Sequence, residues 1–89
     1  MSELNDDERL ARERIEDNPT DLGLRFELGK CLFALGRFKE AIVDFTKAQQ
    51  NPRCRKEAMQ LLARSYDNTR QFEQAREVRK QIASEDYGI

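Results

Sequence analysis

The sequence predicts an all-α fold of about five helices, built as antiparallel helix–turn–helix repeats stacked into a short α-solenoid. Three observations carry that expectation. Residues 28–48 place apolar side chains at three- and four-residue spacing on both sides of Gly36, the pattern of two amphipathic helices meeting at a tight turn. A weaker copy follows 34 residues later: Leu28 recurs as Leu62, Gly29 as Ala63, Leu32 as Tyr66, Phe38 as Phe72 and Ala41 as Ala75. A period of that length made of helical hairpins marks a repeat array. Finally, the 89 residues are 38% hydrophobic and 37% charged, a balance that suits a thin array with much solvated surface.

Taken in order, residues 1–17 read as a helix with a sparse apolar face of Leu4, Leu10, Ala11 and Ile15. Its early acids Asp6, Asp7 and Glu8 suit the positive helix N-terminus and a solvated face. Asn18-Pro19-Thr20-Asp21 breaks it, and Thr20 or Asp21 caps the next helix, residues 22–35, whose core face is Leu28, Leu32 and Leu35. Gly36 supplies the left-handed cap. The third helix, residues 37–50, turns Phe38, Ala41, Ile42, Phe45 and Ala48 inward. Asn51-Pro52 reads as a cap followed by a first-turn proline, opening a helix over residues 52–68 that buries Met59, Leu62, Ala63 and Tyr66. After a turn at residues 68–71, a fifth helix over 72–84 points Phe72, Ala75, Val78 and Ile82 inward, and residues 85–89 read as a frayed tail.

These residues resemble the tetratricopeptide repeat. Leu28-Gly29 matches its Leu-Gly pair and Ala41 and Phe45 its Ala-x3-Phe; Pro52 serves as its closing proline one residue early, Leu32 stands where Tyr is usual, and Arg25 stands in place of the usual Trp. The second copy is looser: Tyr66 and Ala75 match, Met59 stands for Trp and Leu62-Ala63 for Leu-Gly, Arg79 replaces Phe, and Arg70 replaces the turn glycine, so that cap should be strained or differently built. The resemblance covers roughly residues 19–83. It implies one domain: a capping helix over 1–18, a first repeat over 19–52, a second over 53–84 with a polar last helix, and the tail.

The resemblance also implies a concave groove lined by the first helix of each repeat. The groove positions carried over are Phe26, Lys30 and Phe33, with Gln60, Arg64 and Asp67 as their counterparts. Spacing of i, i+4, i+7 sets each trio on one helical face. Two phenylalanines beside Lys30 and Arg64 would suit an apolar peptide carrying an acidic group, and burial of both rings against the first helix or a second molecule is the competing reading. Phe26, Glu27, Gln60 and Leu61 do not fit the family's carboxylate clamp, which disfavours chaperone tails as ligands.

Charge and chemistry narrow the function. Net charge is −1, but residues 1–21 carry eight acids and three bases, whereas residues 53–83 carry eight bases and four acids. Without a basic excess, nucleic acid is not an expected partner; the basic cluster Arg53, Arg55 and Lys56 reads as solvated helix-end charge. No apolar run has membrane-spanning length, so no membrane role is expected. With no His, no nucleophile elbow and no phosphate loop, neither an enzyme nor a cofactor or metal site is expected. Cys31 falls in an apolar stripe as an inert thiol, while Cys54, beside Arg53, Arg55 and Lys56, should have a lowered pKa. Free thiols make a cytoplasmic location the expectation. The function expected is a non-catalytic protein–protein interaction module or scaffold, binding a peptide or protein segment in the groove. The alternative is a structural, self-associating segment of a larger helical-repeat assembly, with a homodimer as one form.

Overall fold

The computed structural model describes residues 3–87 and contains five α-helices in chain order: α1 (Glu3–Asp17), α2 (Leu22–Ala34), α3 (Phe38–Ala48), α4 (Arg55–Asn68) and α5 (Phe72–Asp86). Each helix packs against its neighbour in sequence, and α2 also touches α4, so the helices form a slab of 42 × 26 × 15 Å. The short links between α2 and α3 and between α4 and α5 make two antiparallel hairpins.

The helix ends show which local signals prevail. Asp21 caps α2, its Oδ1 accepting from the backbone N–H groups of Gly23 and Leu24. The other expected N-cap is not used. Asn51-Pro52 does not start α4; instead the Asn51 side chain accepts from Arg53 N–H and its carbonyl from Cys54 N–H, closing a turn. The helix therefore begins three residues later than Pro52. Residues 1 and 2, placed in α1 by the periodicity, lie outside the described residues, as do residues 88 and 89. The remainder of the expected tail is not frayed: α5 continues through Glu85 and Asp86, which pair with Arg55 at 2.6 Å and Lys56 at 3.0 Å.

Both hairpin turns use the same backbone device. Arg37 N–H bonds Leu32 C=O at 2.9 Å and Gly36 N–H bonds Phe33 C=O; Gln71 N–H bonds Tyr66 C=O at 2.8 Å and Arg70 N–H bonds Asp67 C=O. This pairing of an i−5 with an i−3 bond needs a left-handed residue. Gly36 supplies it at φ 77°, whereas Arg70 is forced to φ 62°. A Cβ makes that conformation costly, and Arg70 is exposed. Arg70→Gly should therefore raise stability by about 0.5–1 kcal/mol, the relief of strain exceeding the added freedom of the unfolded chain. Urea denaturation checks this, with Arg70→Ala, which keeps a Cβ, expected to gain nothing.

The core runs along the slab as Ala11, Ile15, Phe26, Leu28, Leu32, Ala41, Phe45, Ala48, Ala58 and Leu62, with Met59 and Ala75 also buried. Gly29 sits beneath the Phe45 ring: a Cβ there would lie 2.7 Å from Phe45 Cε1. At the equivalent pair 34 residues on, the ring is replaced by Arg79 and an alanine, Ala63, is accommodated and buried.

Two expectations for the core are corrected, and one for the surface. Phe72 is 62% exposed rather than inward. Its counterpart Phe38 rests edge-on against Phe33 at 5.1 Å, but the position equivalent to Phe33 is Asp67, which offers no ring to pack on. Leu10 is 44% exposed, while Ala11 and Ile15 are buried; the Leu4 side chain, expected on the same face, lies outside the described residues. The acid cluster of α1 is not merely solvated either. Glu8, half-buried, takes Arg12 from its own helix and Arg37 from the α2–α3 turn, and so ties α1 to the first hairpin.

Candidate functional site

The residues expected to line a groove divide into three groups. Phe26 is not available to a ligand: it is 7% exposed, its ring 6.0 Å from that of Phe45. Phe33 is half-buried between Phe38 and Phe45, its centroid 6.4 Å from the latter. Asp67 is committed elsewhere, since both its carboxylate oxygens accept from Arg79 of α5. That pair holds the Asp67 carboxyl below its usual range and raises the Arg79 guanidinium. Lys30, Gln60 and Arg64 remain exposed.

The two cations are not free-swinging. Lys30 Nζ lies 4.6 Å from the centroid of Phe26, and Arg64 Cζ lies 5.4 Å from that of Phe33. Each positive charge is held against a ring face, worth roughly 0.5–1 kcal/mol at an exposed site. The Arg64 contact reaches from α4 to α2, so the first helices of both hairpins contribute to one cationic, aromatic-backed surface. Gln60 stands one turn before Arg64 on the same helix. The rings act on this face as supports for the cations.

Two further features escaped the sequence reading. Asp44 is 4% exposed and accepts a single bond from Arg25 Nη1 at 3.4 Å. Burial pushes its carboxyl up, against the opposing pull of Arg25. The 34-residue counterparts of Arg25 and Asp44 are Met59 and Val78, so the buried ion pair of one hairpin is an apolar pair in the other. Comparing the two copies residue by residue exposes that pairing. Cys54 also departs from expectation. Its Sγ points at the Ala48 carbonyl, 3.5 Å away, and desolvation together with Glu57 raises its pKa in spite of the basic neighbours. Cys31 is raised as well, by burial first and then by Asp7, Glu27 and Glu8.

A sequence profile of the tetratricopeptide repeat matches residues 32–88. The chain belongs to the tetratricopeptide-repeat family. Repeats of this family are in general protein-interaction modules. Two crystal forms of MamA AMB-1 share the fold, with TM-scores of 0.80 and 0.76 and 32% sequence identity. The alignments cover 91% and 85% of this chain but 48% and 45% of those chains, so it spans about half the length of the solved tetratricopeptide-repeat structures it matches. No curated protein matches the sequence. Among the described residues, no helix is long and apolar enough to cross a membrane.

Proposed function

We propose that this tetratricopeptide-repeat chain is a non-catalytic scaffold module that binds an acidic protein segment along the face shared by α2 and α4. Lys30 and Arg64 are the charge contacts, Gln60 the polar contact, and Phe33 the apolar floor. The observation that carries this reading is the seating of both cations on aromatic rings, one on each first helix. Such seating restricts the side chains before a ligand arrives and so lowers the entropy lost on binding. The two thiols, both free, suit a reducing cytoplasmic setting.

The test is fluorescence anisotropy with a panel of labelled acidic peptides, some carrying an apolar residue beside the acid. Hydrogen bonds to charged groups contribute about 1.5–3 kcal/mol each, so Lys30→Glu with Arg64→Glu should weaken binding at least tenfold while leaving the circular dichroism spectrum unchanged. Unaltered affinity in the double variant, or binding of none of the panel, would overturn the reading.

A second reading, self-association, is favoured by a separate observation. Of the large hydrophobic residues that are exposed, Leu10, Phe72 and Tyr87 lie on or beside the two end helices, α1 and α5.

A further inference from the structure

Five helices make two hairpins and one helix left over. α1 packs on α2 through Ala11 and Ile15, yet its other side is open. A depression of about 200 Å³ runs between α1 and α2, lined by Asp7, Leu10, Ala11, Arg14, Glu27 and Cys31. At the opposite end, Phe72 projects from α5, and that helix borders a shallow hollow of about 410 Å³ lined by Glu77, Val78, Lys80, Gln81 and Ser84. Each end thus offers a protruding apolar side chain and a recess.

The charges left after internal pairing are of opposite sign at the two ends. Among the described residues, Asp7, Glu16 and Asp17 of α1 have no ion-pair partner, while Arg12 and Arg14 are engaged with Glu8 and Glu27. At the other end Glu85, Asp86 and Asp67 are consumed by Arg55, Lys56 and Arg79, and Glu77 faces Lys80. Among the described residues Arg70 and Arg76 are then left without an ion-pair partner, against one acid of α5, Glu73, in the same state. One end is acidic with Leu10; the other is mildly basic with Phe72.

We propose that a second copy of this chain docks head to tail, the α5 end of one copy covering the open side of α1 in the next and completing a helical hairpin with it. The proposal rests on the self-association reading and adds its geometry. An interface between two different patches is not self-complementary and builds a ring or an open filament, so association continues beyond two copies. The complementary end charges make it weaken as salt rises.

Sedimentation equilibrium of the full chain across a wide concentration range, at low and at high salt, tests this. The expected result is a series of species beyond the dimer at low salt that retreats toward monomer at high salt. Asp7→Arg and Arg76→Glu lie on exposed positions and should each reduce association at least tenfold on their own, with folding verified by circular dichroism. Mixing the two variants in equal amounts should restore it, because each then meets an end of opposite charge. A monomer under all conditions would overturn both the geometry and the self-association reading. A species that stops at two copies, association indifferent to salt, or no recovery on mixing would overturn the head-to-tail geometry alone.

Discussion

Phe45→Ala is expected to destabilise the protein by about 4 kcal/mol, a large share of the roughly 5–15 kcal/mol that holds a domain folded. Phe45 is fully buried, its ring flanked by those of Phe26 and Phe33. Removing it both withdraws apolar surface from the core and leaves a hole that two further rings line. The neighbour at Gly29 supplies the sharper test. In the natural protein a methyl at position 29 would press into Phe45 at 2.7 Å, so Gly29→Ala should cost about 1–3 kcal/mol. Once Phe45 is alanine the clash is gone, and the same change should stabilise by about 1 kcal/mol, the helix-propensity difference between the two residues. The sign of one substitution thus reverses with the state of the other. Urea denaturation of the four proteins measures it, and additive effects would show that the ring does not dictate the glycine.

The second large effect is at the buried ion pair. Arg25→Met alone should cost about 3 kcal/mol at neutral pH, because Asp44, with 6% of its side chain exposed, loses the one ion-pair partner it has among the described residues. Arg25→Met with Asp44→Val copies the Met59 and Val78 of the second hairpin and should return stability to the natural level or above it. The pH dependence of the single variant follows from the direction of the shift. Asp44 already has its carboxyl raised in the folded state, and losing Arg25 raises it further. The folded protein then binds more protons than the unfolded chain, so the destabilisation is complete above the folded-state pKa and shrinks as pH falls through it. Denaturation midpoints at neutral and acid pH read both effects. A double variant no more stable than the single one would show that the first hairpin cannot pack an apolar pair there.

Much of the architecture was legible because helical periodicity and a 34-residue echo are written in residue type alone. The five helices, the Gly36 turn and the strained Arg70 turn all followed from it. What was not legible depended on partners distant in sequence. Phe72 looks like Phe38 locally, and only the absence of a ring at position 67 leaves it in water. Asn51-Pro52 carries a strong helix-start signal, but a turn that satisfies the same backbone groups displaced it. At the candidate site, the helical face and its exposed cations were readable; the burial of Phe26 and the capture of Asp67 by Arg79 required the third dimension.

The fit of Gly29 to Phe45, with Ala63 and Arg79 at the equivalent positions of the second hairpin, makes the two hairpins unequal as building units. Copying the first would insert a block whose aromatic ring demands a dry neighbour on every occasion, and so would favour continued growth of the array. Copying the second would bring Asp67 and Arg79, comfortable in water, beneath another helix. Lengthening by duplication is therefore easy from one half of the molecule and resisted by the other, an asymmetry set by a missing methyl group and the ring that excludes it.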